Sequence, residues 1–425
     1  MLDTDPRRSD VANASGGGAE RLAERVSEGS AGGSTELTDR NPAAAPASDA
    51  QAVPCSEIRV GPAGWSYPDW AGYVYPSPRP KGFHEATYLA EFFDTIEINT
   101  SFYSPLQPGH AHQWLERVAG NPRFLFTAKL WQKFTHETFF EAESGATAAP
   151  ARASSSKLSR MASGSTGNPS AEDERVVRAG FDVLRNAGKL GAVLLQFPFS
   201  FHRTSETTAY LTAVLKRFAD YPLAVEVRHA SWDDAEIFAL LREHHAAFCN
   251  IDQPIIGKSL LPREGKSLLR RESKPLVQRE DRSMEPLDTQ SILPSDSRSP
   301  FPGEDPGAPI GYIRLHGRRY DTWFNDDSTI PAHERYNYLY STEELTPWAE
   351  RIQSEGEHGR KVFAITNNHY LGKGVVNALQ LISMLRGAKV NVPEPLRTQY
   401  PELEKIASRP PEKPTLFPMG REIKG

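Results

Sequence analysis

Short apolar runs alternate with amphipathic stretches through the middle of the chain. The runs are rich in Val, Ile, Leu and Phe and are bounded by turn-forming or polar residues, which is typical of strands. They predict eight strands, at residues 58–64, 95–99, 123–129, 192–198, 223–229, 246–252, 311–317 and 361–367.

Most of these runs are followed by a stretch whose apolar residues recur at helical spacing. Ser205 and Thr342, each followed by acidic residues, have the character of helix starts. Only the sixth strand lacks a helix after it. The predicted helices cover residues 84–93, 109–118, 171–188, 205–219, 233–245, 342–355 and 375–385.

This strict alternation predicts a parallel sheet, and eight units are the number that closes as a (β/α)8 barrel. An open doubly wound sheet is the alternative. The turn GPAG after the first strand does not match GxGxxG, which disfavours a dinucleotide-binding fold. We predict no cofactor.

Three polar segments accompany the patterned region. Residues 1–55 hold few β-branched residues and no aromatic ones, which predicts a disordered tail. Residues 141–171 have the same make-up, and residues 256–308 begin with a tandem octapeptide, GKSLLPRE then GKSLLRRE, at 257–272. Such repetition indicates a lengthened loop. The GKS triplets lack the glycine that a phosphate-binding loop places five residues earlier, so that motif is rejected.

These segments change the domain count. A chain of 425 residues suggests two or three domains, yet only 38% of its residues are hydrophobic. Without the tail, both insertions and a Pro-rich extension at 389–425, about 250 residues remain, the usual length of one barrel. We therefore predict a single barrel domain at 56–388.

Charge and cysteine content exclude further classes. The net charge of −5 gives no general cationic surface, so nucleic acid is not a favoured partner. The two cysteines, Cys55 and Cys249, are too few for a disulfide framework or a cysteine zinc site and fit a reducing compartment. With no apolar leader and no membrane-spanning run, we expect a cytoplasmic protein.

Side-chain parity places polar residues on one face of several predicted strands. In a barrel the apolar face packs on the helices, so the polar face points inward, toward the C-terminal end where barrel enzymes have their active sites. Charges there must neutralise one another. They form either a structural ion-pair network or a site, and the residues are Glu97, Lys129, Glu226, Arg228, Arg314 and His316.

Seven segments together resemble the YecE-like family that carries domain of unknown function 72. The resemblance covers about 58–388 apart from the insertions, and it implies a TIM-barrel-like fold. It implies no reaction and no catalytic residues. The segments are VGPAGWSYPDW (60–70), FFDTIEINTSFY (92–103), FTAKLWQKFTH (126–136), LLQFPFSF (194–201), AVEVRHASW (224–232), YIRLHGR (312–318) and ITNNH (365–369).

The inward residues suggest specific chemistry. Cations from several strands predict a phosphate or carboxylate site. Glu226 is the candidate base, Glu97 the candidate acid, and His316 a proton shuttle near neutral pH. Lys129 is a further catalytic candidate, as an imine-forming amine. The candidate substrate-binding residues are Arg228, Arg314, Asn99, Tyr103, Gln196, Trp232, Asn367 and Asn368.

Aromatic residues follow several strand ends, where they either stack on a ligand or cap the core of the barrel. They are Trp65, Tyr67, Trp70, Phe102, Tyr103, Trp131 and Trp232.

Three functional hypotheses remain open. The first is a metal-independent enzyme that uses acid/base chemistry on a small anionic substrate, phosphorylated or carboxylated. The second is a glycosidase-like or metal-dependent hydrolase of sugars or nucleic acid, with a metal held by Glu97, Glu226, Asp252 and His316. The third is a non-catalytic barrel that binds a ligand or a partner.

Overall fold

The computed structural model describes residues 57–136, 169–254, 276–278, 284–286, 308–323, 330–357 and 359–408, all within one compact unit, Ala52–Gly425. The predicted tail, the octapeptide repeat and most of both insertions lie outside the described residues. Within the second insertion, Leu276–Gln278 pairs antiparallel with Met284–Pro286.

Eight parallel strands form one sheet, and all eight predicted strands are confirmed. Their order is β1-β8-β7-β6-β5-β4-β3-β2, so each strand lies beside its neighbours in the chain. The strands are β1 (Ile58–Pro62), β2 (Thr95–Ile98), β3 (Leu125–Lys129), β4 (Leu190–Gln196), β5 (Leu223–Glu226), β6 (Ala247–Asp252), β7 (Ile310–Leu315) and β8 (Lys361–Thr366).

The two ends of this sheet meet between β1 and β2. Ala63 and Glu97 form a parallel bridge there, and the Gly64 N–H donates to the Glu97 carbonyl at 2.8 Å. Gly61 permits the approach, because a Cβ at this position would lie 2.0 Å from the Thr95 carbonyl oxygen. The sheet is therefore a nearly closed barrel, as predicted, and not an open doubly wound sheet.

Helices follow the strands as the sequence pattern predicts. They are α1 (Glu85–Leu89), α2 (Thr100–Tyr103), α3 (Pro108–Arg117), α4 (Ala171–Asn186), α5 (Ser205–Arg217), α6 (Ala235–Glu243), α7 (Tyr320–Trp323), α8 (Thr342–Glu357), α9 (Lys373–Arg386) and α10 (Glu394–Gln399). No helix in the described ranges is long and apolar enough to cross a membrane.

Two helix caps lie one residue earlier than predicted. Thr204, not Ser205, caps α5, because its side chain accepts from the Thr207 N–H while the Thr207 side chain accepts from the Thr204 N–H. At α8, Ser341 Oγ accepts from the Glu344 N–H at 3.3 Å, and the Glu344 carboxylate accepts from the Ser341 N–H at 2.9 Å. Each is a reciprocal capping box.

Strand parity separates the core into two layers, as predicted. The outward side chains of the strands, such as Ile96, Val225 and Ile313, pack under the helices. The inward set fills the barrel with small residues against larger ones, such as Ala192 with Phe363. The inner layer is thus mainly apolar along the middle of the strands and polar at their carboxyl ends.

The described part of the segment after residue 388, which we expected to lie beyond the barrel, packs on it. Leu396 and Leu403 are fully buried, and the Tyr400 hydroxyl donates to the Leu371 carbonyl at 2.9 Å. Val390 and Ala407 form a parallel bridge. The compact fold therefore continues to about residue 408.

Candidate functional site

Arg314 is the centre of a buried charge network at the carboxyl ends of the strands. It is the penultimate residue of β7 and is fully buried. Its Nη2 donates to Glu97 Oε1 at 2.9 Å, and its Nη1 donates to Glu226 Oε2 at 2.5 Å. One guanidinium therefore joins carboxylates from β2 and β5, which lie three strands apart in the sheet, and Gln196 at the end of β4 accepts from the same Nη1 at 3.1 Å.

Glu226 is held as an anion by two arginines. Arg228, two residues later, contacts its Oε1 through Nη2 at 2.9 Å and Nε at 3.2 Å. Burial alone would raise the pKa of Glu226, but Arg314 and Arg228 outweigh it and hold the pKa well below its ordinary value. This environment makes Glu226 a weak base, which disfavours the predicted base role.

Glu97 is shared among three partners. Besides Arg314, its Oε1 lies 3.6 Å from Lys129 Nζ. Its Oε2 accepts from the Tyr312 hydroxyl at 2.9 Å, and that hydroxyl lies 2.9 Å from Thr127 Oγ1. Glu97 is fully buried, so these contacts replace the water that a free carboxylate would need.

Lys129 is the last residue of β3, and its side chain is almost fully buried. Burial lowers its pKa, and Arg314 lowers it further, while Glu97 raises it; the resulting pKa is about 8. The Phe102 ring lies 5.8 Å from its Nζ and covers one side of the amine. Lys129 therefore has a sizeable neutral fraction near physiological pH.

His316 completes the network from the residue after β7. Its Nε2 lies 3.3 Å from Arg314 Nη1 and 3.9 Å from Glu226 Oε1, and its Nδ1 lies 2.9 Å from Asn367 Nδ2. Burial and the neighbouring Arg314 hold the pKa of His316 well below its ordinary value. The imidazole is thus neutral at pH 7, which disfavours the proton shuttling we expected from it.

The network carries an excess positive charge. With His316 neutral, three cations (Lys129, Arg228 and Arg314) face two carboxylates. Arg314 and both carboxylates are fully buried, while the Lys129 side chain is 10% exposed and that of Arg228 is 23% exposed. The extra positive charge therefore lies with the two cations that have exposed surface, Lys129 and Arg228.

The remaining predicted residues divide between this network and its surroundings. Gln196 and Asn367 contact it directly. Asn99 donates to the Tyr67 hydroxyl at 3.3 Å, and Tyr103 is 53% exposed.

Trp232 and Asn368 serve the scaffold. Trp232 is fully buried, stacks on Phe201 and donates its Nε1–H to the Phe201 carbonyl at 2.6 Å. The Asn368 amide nitrogen donates to the Tyr338 carbonyl at 2.8 Å and to Asn377 Oδ1 at 2.7 Å. All of these contacts are made within the protein, and the substrate-binding role of both residues stays a prediction.

A group of contacting aromatic rings lies beside the charge network. His369 stacks on Tyr67 with ring centroids 4.3 Å apart and lies 4.8 Å from the Tyr336 ring. Trp323 in turn lies 5.9 Å from both Tyr336 and His316. Of the aromatic residues predicted at the strand ends, Tyr67 therefore belongs to this group of rings. Two others in the group, Trp323 and Tyr336, were not predicted and come from the segment after β7.

Tyr312 also belongs to the network, although the polar pattern of the sequence does not single it out. It lies two residues before Arg314, so the same parity rule that selects Arg314 and His316 places Tyr312 inward. From composition, an aromatic residue in a strand is expected to belong to the apolar core. That expectation does not reveal that the Tyr312 hydroxyl donates to Glu97.

Asp252 does not join the carboxylates that we considered as metal ligands. It lies at the end of β6 and is bound by Arg318, whose Nε is 2.9 Å and 3.1 Å from its two carboxylate oxygens. Burial raises the pKa of Asp252, and Arg318 opposes that shift. Among the described residues no three His, Cys, Asp or Glu side chains are grouped so as to hold a metal ion.

A separate recess lies at the opposite end of the barrel. It is lined by Ala247, Ile310 and a buried triad in which Glu355 contacts Arg351 at 2.7 Å and also Arg360. These residues surround the amino ends of β6 and β7, the end where such barrels carry stability and not chemistry.

The chain matches a family model described as "Protein of unknown function DUF72" over residues 59–401. A DUF72 family protein from Thermotoga maritima, of known crystal structure, is 24% identical with a TM-score of 0.53, and the match covers 77% of this chain and 99% of that one. A second, from Enterococcus faecalis, is 20% identical with a TM-score of 0.52, covering 77% and 95%. None of the curated proteins compared with the chain matches it.

These identities support a common fold, while the family match covers most of the chain. It includes every residue of the charge network and continues past residue 388, in agreement with the packing of α10 on the barrel. On this match the chain belongs to the DUF72 family.

Proposed function

We propose that the carboxyl end of the barrel binds a small anionic compound, a carboxylate or a phosphate, and that the protein is an enzyme that transfers a proton on it. The observation that supports this most directly is the charge imbalance. Three cations are held against two carboxylates, and the two cations with exposed surface are Lys129 and Arg228.

Arg228 is the candidate anion anchor. Glu226 occupies its Nε and one hydrogen of Nη2, so Nη1 is not used by that carboxylate. A guanidinium held from one side keeps its remaining N–H groups in a fixed fork, which suits the paired oxygens of a carboxylate or phosphate. Its partial exposure lets a ligand reach it without opening the core.

Lys129 is the candidate proton-transfer group. A pKa of about 8 leaves roughly one-tenth of the amine neutral at pH 7, and that fraction accepts protons. Glu97 lies 3.6 Å from its Nζ and stabilises the protonated form. Glu226 and Arg314 hold this geometry in place.

The glycosidase-like hypothesis receives less support from the same residues. It requires a carboxylic acid whose pKa is raised so that it can protonate a leaving group. Glu226 instead has a pKa held well below its ordinary value, and both carboxylates are bound to Arg314.

The test is calorimetric titration of the full-length protein with inorganic phosphate and, separately, with pyruvate. We expect binding of at least one of them, and Arg228→Gln should weaken it at least tenfold, about 1.4 kcal/mol. Arg175→Gln is the matched control, because Arg175 pairs with Glu172 on the surface and its side chain is 70% exposed.

Two results contradict the proposal. One is no binding of either anion to the unmodified protein. The other is equal binding by the Arg228 and Arg175 variants, which would place the anion elsewhere.

A further inference from the structure

We propose that Lys129 is a covalent nucleophile that forms an imine with the aldehyde or ketone group of an anionic substrate. This inference rests on the proposed function, because it takes the anion held by Arg228 as part of the same molecule. It adds the substrate class, a small oxo acid or a phosphorylated aldehyde or ketone.

The position of Lys129 meets the geometric needs of such a nucleophile. Its backbone is fixed at the end of β3, where its N–H donates to Ser101 Oγ at 3.0 Å, and its side chain points into the barrel. The Lys129 side chain is 10% exposed, and the proposal requires a small carbonyl compound to reach its amine from the carboxyl end of the barrel.

The amine is also loosely held. Its distance of 3.6 Å to Glu97 Oε1 exceeds that of a close charged hydrogen bond. Lys133, four residues later, instead contacts Asp173 at 2.8 Å. Because Glu97 is already bound by Arg314 and Tyr312, Lys129 is the partner that can leave without stranding the carboxylate.

The protonation state supports the same role. Only the neutral amine attacks a carbonyl carbon, and burial next to Arg314 lowers the pKa of Lys129 to about 8. Its neighbours Glu97 and Phe102 supply one acidic and one apolar contact. Reactivity should therefore rise with pH and level off above about pH 8.

The reaction balances without a further reactant. The Nζ lone pair forms a bond to the carbonyl carbon, and the carbonyl π electrons move to oxygen. Transfer of a proton from nitrogen to that oxygen gives a carbinolamine. The ammonium form of Lys129 gives up one proton before the amine attacks, and that proton then converts the carbinolamine hydroxyl to water. The water leaves as the nitrogen lone pair forms the second C–N bond, which gives an iminium ion. Glu97 is placed to relay these protons and to stabilise the cation.

Reductive trapping tests the proposal on the full-length protein. The protein is incubated with pyruvate in one arm and dihydroxyacetone phosphate in the other, treated with sodium borohydride, digested and mapped by mass spectrometry. We expect a reduced adduct on Lys129 in at least one arm, and the arm that reacts distinguishes carboxylate from phosphate recognition.

Variants make the assignment specific. Lys129→Met should abolish the adduct, Lys133→Met should retain it, and Arg228→Gln should slow its formation at least tenfold by removing the anion anchor. A measurement on the unmodified protein is independent of variant folding. The trinitrophenylation rate of Lys129, followed by peptide mapping, should rise with pH with a midpoint near 8.

The outcomes separate this inference from the proposed function. If phosphate or pyruvate binds in an Arg228-dependent manner but Lys129 gives no adduct in either arm, the imine is wrong and the anion site stands. If neither anion binds and no adduct forms, both fail. An adduct that persists in Lys129→Met also overturns the imine, because it then forms on other lysines.

Discussion

At the scale of single residues, Arg314 is the residue that connects the charge network. A guanidinium that is fully buried between two carboxylates has lost its water and keeps its charge only through those contacts. Glu226 and Glu97 raise its pKa well above the ordinary value, against the effect of burial. Arg314 thus holds the charge network together, while Lys129 and Arg228 are its two cations with exposed surface.

We predict that Arg314→Met destabilises the protein by about 3–5 kcal/mol, because it strands two buried carboxylates. Urea unfolding measures this change. The control, Arg175→Met at an exposed pair, should stay within about 0.5 kcal/mol of the unmodified protein. An Arg314 variant as stable as the control would show that water or rearrangement satisfies Glu97 and Glu226.

Parity predicted most of this network from the sequence, and its chemistry only in part. Alternation along a strand decides which face a residue occupies, so Glu97, Arg314 and His316 could be placed inward. It does not give distances, and the pKa of Glu226 depends on two arginines within hydrogen-bonding distance. Those two arginine contacts disfavour the base role expected of Glu226, while the proton-transfer role of Lys129 is a proposal.

At the scale of elements, apolar runs and helical spacing were sufficient to find every strand of the barrel. The boundaries depend on single hydrogen bonds, which explains the one-residue differences at Thr204 and Ser341. Closure between β1 and β2 was the least predictable feature, because it depends on a close backbone approach at Gly61. No hydrophobic pattern encodes that contact.

The close contact between β1 and β2 predicts that Gly61→Ala destabilises the protein. A Cβ at Gly61 would lie 2.0 Å from the Thr95 carbonyl oxygen, so the variant must separate β1 from β2 and should lose at least about 2 kcal/mol in unfolding free energy. Gly109→Ala is the matched control: it lies in the first turn of α3 with nothing within 4 Å of an added Cβ, so alanine there should change the unfolding free energy by less than about 0.5 kcal/mol. Thermal unfolding of both variants decides the matter, and equal midpoints would contradict this account of closure.

At the scale of the whole molecule, chain length and composition predict one barrel that ends at residue 388, although buried residues follow that position. A high proline content after residue 388 suggested a loose extension, yet apolar side chains within it are buried on the barrel. Composition averages over a segment and misses a few anchoring residues such as Leu396 and Leu403. The family match, ending at residue 401, agrees with the packing and not with the composition.

The two ends of the chain should therefore respond differently to truncation. Removing residues 1–52 leaves every described strand, helix and network residue in place, so we expect an unchanged unfolding midpoint and unchanged phosphate binding. Removing residues 389–425 exposes the sites on the barrel that Val390, Leu396, Tyr400 and Leu403 cover, and several kcal/mol of stability should be lost. Differential scanning calorimetry of both truncated chains provides the comparison. A chain ending at residue 388 that is as stable as the full-length protein would support the domain boundary that composition suggests. Loss of phosphate binding in the chain beginning at residue 53 would show that the first 52 residues contribute to the site.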